Sequence, residues 1–150
     1  PGREVTVTVD GCAHANAELQ GEGENALGEV SGKFSDIIVG IPCNMVLRPM
    51  RIEAGGDVGT SQGKIKKIDH VTLRLLETST CKVGRSEDAL DVVDIRTPSM
   101  RMNRPVEAYT GDRKIAFNGG NSPDGYVVIV ADQALPFTLI SMVIAVDMGS

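Results

Sequence analysis

The sequence has no tryptophan, only two tyrosines and only three phenylalanines. Base-stacking platforms and aromatic sugar-binding stripes therefore have almost nothing to be built from. Its three cysteines, Cys12, Cys43 and Cys81, lie far apart and form no C-x-x-C pair. An odd number of widely spaced thiols closes no disulfide framework, which points to reduced thiols and folding in a reducing cytoplasm. Positive charge is in deficit as well: 15 Lys and Arg stand against 20 Asp and Glu, a formal net charge of −5. Such a surface repels phosphate backbones, so wrapping nucleic acid is not the expected activity. Long apolar runs are also missing. The longest, residues 134–146, is interrupted by Pro136, Thr138 and Ser141, and it falls short of the roughly 20 residues of a membrane-spanning helix. The chain opens Pro1-Gly2-Arg3 with neither an initiator Met nor a signal-peptide pattern and enters a strand pattern at once. It reads as a piece of a longer chain.

What is present is turn chemistry and short strand patterns. The 150 residues are one domain's worth of sequence, and 17 glycines and 7 prolines punctuate them, which favours turns over long helices. The expected fold is a single all-β domain over 1–150, an antiparallel β-sandwich or barrel-like arrangement of short strands with long loops. Residues 4–9 alternate strictly, Val5, Val7 and Val9 against Glu4, Thr6 and Thr8, and Asp10-Gly11 follows as a hairpin turn. Alternation resumes over 12–18, a weak strand is expected at 26–30, and strands are expected at 37–41 and 45–52. The glycine-rich stretch 54–64 reads as a loop. Val71, Leu73 and Leu75 alternate with His70, Thr72 and Arg74, whereas Ile65 and Ile68 stand in the opposite register, so a bulge near Asp69 is expected within a strand over 65–77. The stretch 85–102 is acidic and then irregular. A hairpin is expected over 106–117, turning at Thr110-Gly111-Asp112. Residues 126–131 and 137–146 are nearly all apolar, the pattern of central strands buried on both faces.

Chemistry-bearing motifs are weak. Gly59-Thr60-Ser61-Gln62-Gly63 matches G-x-S-x-G, but a nucleophile elbow needs a strand-to-helix turn and a downstream acid and His. A loop precedes Ser61, a β pattern follows it, and the only downstream histidine is His70. Gly63-Lys64 ends a stretch resembling a phosphate loop, with Val58 and Ile65 at positions that need Gly and Ser or Thr. Residues 21–26 fit G-x-G-x-x-A, yet Glu22 and Glu24 would repel an anion there. Asp88, Asp91 and Asp94 with Glu87 lack the spacing of a calcium loop and read as a solvated acidic face. His14 and His70 read as surface or interface histidines. No catalytic, cofactor or metal residue is assigned, and an enzyme is not expected. Lys64, Lys66, Lys67 and Arg74 form the one basic cluster. Four cations on one strand read as a sheet edge guarded against aggregation, or as a charge-complementary subunit contact.

Several segments taken in order resemble the C-terminal part of the tail nozzle, or tail tubular protein B, of short-tailed bacteriophages. They are Gly2-Arg3-Glu4-Val5-Thr6-Val7 running to Val9-Asp10-Gly11 and then His14; Val39-Gly40-Ile41-Pro42; and Gly59-Thr60-Ser61-Gln62-Gly63-Lys64. Lys66-Lys67-Ile68, Val71-Thr72-Leu73-Arg74-Leu75, Tyr109-Thr110-Gly111-Asp112, Asp124-Gly125 and Leu135-Pro136-Phe137-Thr138-Leu139 follow. Cys43 departs from the aromatic usual in that family, and 85–102 has no counterpart. The resemblance implies a structural virion protein of the tail, here the C-terminal β-rich part of a longer multi-domain chain, assembled in the host cytoplasm as a hexameric ring below the adaptor ring. Its partners would be the tail adaptor protein, with tail fibres as a further candidate, and genomic DNA passing through the channel without specific binding. An acidic wall suits that passage, because it offers few counterion-releasing contacts. The alternative is a carbohydrate- or receptor-binding β-domain of a tail fibre, against which the scarcity of aromatics weighs.

Overall fold

The computed structural model describes residues 3–14, 17–20, 27–53, 61–95, 100 and 107–148. Among them there is no helix, and the fold is all-β and antiparallel, as the turn-rich composition leads one to expect. Twelve strands form three four-stranded sheets. They are β1 Arg3–Val9, β2 Cys12–Ala13, β3 Ala17–Leu19, β4 Ile37–Gly40, β5 Met45–Leu47 and β6 Lys66–Thr78, then β7 Lys82–Ser86, β8 Ala89–Val92, β9 Tyr109–Ala116, β10 Asn121–Ser122, β11 Val128–Ala131 and β12 Leu139–Met148.

The first sheet is built on β1. Asp10 and Gly11 carry φ of 47° and 79°, both left-handed, as a two-residue hairpin turn requires if its twist is to match that of its strands. The chain returns as β2, pairing Val9 with Cys12, and then as β3, pairing Val5 with Ala17, with a one-residue shift of register between the two. β4 pairs with β1 on residues 6–9. The Asp10 carboxylate accepts from the backbone N–H groups of Ser35 and Asp36 at 3.0 and 2.9 Å, fixing the entry to β4. Val5, Val7 and Val9 form a small core with Ala17, Leu19, Val30 and Phe34. The threonine face is buried as well, which strict alternation does not announce: the Thr8 hydroxyl donates to the Ala134 carbonyl at 2.8 Å, tying this sheet to the 132–135 turn. The weak strand expected at 26–30 reduces, among the described residues, to a single bridge between Gln20 and Leu27.

The other two sheets face each other as a sandwich. β6 is the spine of one, paired along its length with β12 on one side and with β9 and then β10 on the other. The second runs β5-β11-β7-β8. Val71, Leu73 and Leu75 from β6 are completely buried against Val83 and Ile129 of the facing sheet, with Cys81, Val93, Ile95 and Val127 closing the core. The bulge expected near Asp69 is present: His70 pairs with Ala145 and Ile68 with Val146, leaving Asp69 as the extra residue. Ile68 is buried beyond the bulge, whereas Ile65, expected to share its face, is exposed.

Two sequence expectations fail here, each because a long-range neighbour overrides a local pattern. Thr110-Gly111-Asp112 is turn chemistry, yet β9 runs straight through it, and Gly111 pairs with Leu75. Gly111 has φ 147°, and the Tyr109 hydroxyl folds over it to donate to the Asp112 carbonyl at 2.9 Å. The 137–146 run is not a central strand. β11 is buried at every residue, but among the described residues β12 is the edge of its sheet, with Ile140 and Val143 exposed. The stretch 85–102 leaves the end of β7 and turns at Glu87-Asp88 into β8; residues 96–99, 101 and 102 of it lie outside the described residues.

Gly84 closes that hairpin. A Cβ there would stand 1.8 Å from the carbonyl oxygen of Ala89, a backbone atom that cannot swing away. Gly84→Ala is therefore expected to destabilise the chain by about 2–3 kcal/mol, the scale of overpacking a tight interior. The shift of the urea midpoint measures it, and an unchanged midpoint would mean that the β7–β8 approach is looser than described.

Candidate subunit-contact site

β6 positions three of the four basic residues singled out by sequence, and the structure separates them. β6 is central and fully paired, so the guarded-edge reading of the cluster is wrong: the flanking strands, not lysines, protect it. Lys66 points into the sandwich and is 1% exposed, its ammonium donating to the Pro123 carbonyl at 3.1 Å. Arg74 lies on the outer face, bound through two hydrogen bonds to Asp112 of β9: Nε donates to Oδ1 at 2.7 Å and Nη2 to Oδ2 at 2.8 Å. That hydrogen-bonded contact holds the Asp112 carboxyl below the usual carboxylate range and raises Arg74 further. Lys67 is exposed opposite Asp147 of β12, and Lys64 is half-buried in a turn whose N–H bonds the Ser61 carbonyl at 3.3 Å. Of the four, Lys64 and Lys67 alone present cations for a surface contact.

The surface feature that sequence reasoning missed lies elsewhere. Ile37, Ile38 and Val39 of β4 and Met45, Val46 and Leu47 of β5 are all exposed, between 42% and 66%. Ile41 and Met50, at 74% and 89%, continue the strip. Successive strand residues point to opposite faces, so exposure of three in a row leaves both faces of each strand uncovered. Among the described residues β4 pairs with β1 alone and β5 with β11 alone. Two open edges and their apolar faces thus lie on one stretch of chain. Isolated exposed apolar residues are ordinary; contiguous ones mark a docking surface.

The motifs of chemistry do not assemble around it. Ser61 is 2% exposed, and Gly59 and Thr60 before it lie outside the described residues, as do the glycine-rich pattern 21–26 and the loop 54–60. An elbow serine must be presented to substrate, which a buried hydroxyl is not. His70 Nδ1 lies 2.8 Å from the Asp69 carboxylate across the bulge, a contact that lowers the pKa of Asp69 by hydrogen bonding. His14 sits edge-on to Phe34, ring centres 5.7 Å apart. Glu87, Asp88, Asp91 and Asp94 are distributed over the exposed β7–β8 hairpin and its exit, and among the described residues no three His, Cys, Asp or Glu side chains converge as a metal site. Lys82 pairs with Asp132, stitching β7 to the turn after β11. No helix among the described residues is long and apolar enough to cross a membrane.

The cysteines are free, Cys12 and Cys43 exposed and Cys81 buried. Burial pushes the Cys81 thiol from 9.0 up to about 11, because the core disfavours the thiolate. Thiol titration is expected to count two groups in the native chain and three after denaturation; three in the native state would contradict the burial. The raised value also couples to stability. The unfolded chain loses this proton first, so the contribution is intact below about 9 and is lost as pH rises toward about 11. A Cys81→Ala variant should lose that part of the alkaline decline.

The chain matches no family model, and no curated protein matches it.

Proposed function

We propose that this chain is a structural assembly module, and more specifically the β-rich C-terminal part of a bacteriophage tail nozzle that forms a DNA exit channel below the adaptor ring. The observation that carries the reading is the apolar strip on β4 and β5, which has no cover within the described chain. A stable soluble surface would place polar residues at such positions; a subunit contact places Ile, Val, Leu and Met there. The occupant we assign is a neighbouring copy of the chain in a closed ring, since an open edge facing an identical partner otherwise risks unlimited polymerisation. The ordered motifs from Gly2-Arg3-Glu4 to Leu135-Pro136-Phe137 support the nozzle as the ring in question. The acidic net charge of −5 fits a wall past which DNA slides.

Electron microscopy of the chain mixed with the tail adaptor assembly tests this reading. Closed rings seated on the adaptor are expected. Monomers that ignore the adaptor and bind a host glycan would overturn it in favour of a tail-fibre receptor domain.

A further inference from the structure

Between the start of β6, the end of β7 and the 117–126 loop lies a cavity of about 240 Å³. Its wall includes Lys66, Arg85, Ser86, Asn121 and Ser122 and, among the described residues, no aspartate or glutamate. In a chain of net charge −5, a recess with two cations and no carboxylate is a marked local reversal.

Lys66 is the unusual member. Its side chain is 1% exposed, its single described partner is the Pro123 carbonyl, and no described carboxylate pairs with it. An ammonium has three N–H donors, so one neutral acceptor leaves most of its hydrogen-bonding capacity and all of its charge uncompensated. Burying a cation on those terms is costly. Arg85 is placed by a second irregularity. Gly84 pairs with Leu90 and Ser86 with Ala89, so Arg85 is the extra residue of a β-bulge, a device that re-aims a side chain out of its ladder. It too pairs with no described carboxylate. Ser122 accepts from the Asp124 N–H at 3.2 Å, which leaves its hydroxyl proton to donate. The polar groups of the wall are thus weighted toward donors.

We propose that this cavity binds a small oxyanion, a phosphate-type or carboxylate group, with Lys66 as the buried countercharge and Arg85 as a planar fork at its mouth. The size sets the class: about 240 Å³ is below the roughly 300–1,000 Å³ of sites for larger organic ligands. A guanidinium matches two oxygens of either group. The site lies on β6, β7 and the 117–126 loop, apart from β4 and β5, and does not depend on the assembly reading.

The test is calorimetric titration of the full chain with inorganic phosphate and, separately, with acetate, each at constant ionic strength against chloride. Saturable binding of one or both is expected, and the preferred anion identifies the oxyanion. Arg85→Ala, at an exposed position, should weaken that binding about tenfold, the loss of a charge-assisted contact. Lys66→Met should abolish it while keeping the apolar stem of the side chain. If Lys66→Met fails to fold, Arg85→Ala decides alone. Binding of neither anion beyond the chloride control, or binding that Arg85→Ala leaves unchanged, overturns the proposal.

Discussion

Ile38→Asp combined with Val46→Asp is expected to leave the chain folded and to convert it from an associating species to a monomer. Both side chains are exposed, 66% and 45%, so neither aspartate enters the core, and the cost to the fold is limited to strand propensity, at most about 1 kcal/mol per site. At an interface the cost is larger. Each apolar side chain buried by a partner contributes about 1.5–3 kcal/mol, and a carboxylate in its place must be desolvated without a counterion. The dissociation constant should therefore rise by about a hundredfold or more, measured by sedimentation velocity over a concentration series. The pair Lys64→Glu and Lys67→Glu provides the contrast. Exposed ion pairs contribute about 0–1 kcal/mol, so reversal there should weaken association severalfold at most. A larger effect from the lysines than from the strip would move the contact to the outer face of β6. Lys66→Glu belongs to neither arm, because its side chain is inside the sandwich.

Leu73→Ala is expected to produce the largest loss of stability of any single truncation in β6. Leu73 has no exposed surface, and it sits at the middle of the strand, paired to Met142 on one side and Arg113 on the other. The ladders on both sides hold the backbone, so the site cannot collapse around the missing atoms, and the cost should fall in the upper part of the range of about 2–5 kcal/mol for such truncations. Against the total of about 5–15 kcal/mol typical of a domain, that is a large share. It should appear as a thermal midpoint lower by about 10 °C or more. Leu76→Ala, three residues on, on the opposite face of β6 and 42% exposed, should change the midpoint little. Equal effects at both positions would mean that the inward face of β6 has been assigned to the wrong side.

How much of this could be read from the sequence depended on range. The Asp10-Gly11 turn and the Asp69 bulge are local: two residues demanding positive φ, and a break in period-2 alternation, are both written in neighbouring positions. The all-β class follows in the same way. Strand order does not. An alternating apolar pattern marks a strand but not whether the strand is central, and so the basic residues of β6 suggest a guarded edge as readily as a subunit contact, although β6 is the spine of its sheet. A continuous apolar run is more ambiguous still. Residues 128–131 and 37–39 look alike as sequence, yet the first run is buried on both faces and the second is exposed on both. The candidate site suffered most from this ambiguity, since its carrier, the β4–β5 strip, has the composition of a core strand. Lys66 shows the converse: a lysine in a basic run gives no local sign that it points inward, because the pocket that receives it is made by residues 117–126 far along the chain.

Amide hydrogen exchange measures directly whether a neighbouring subunit covers β4 and β5. In assembled protein the amides of residues 37–47 should exchange far more slowly than in the Ile38→Asp, Val46→Asp monomer, while those of β6 should be equally protected in both. Fast exchange over 37–47 in the assembled state, with new protection confined to another surface, would contradict a subunit contact there.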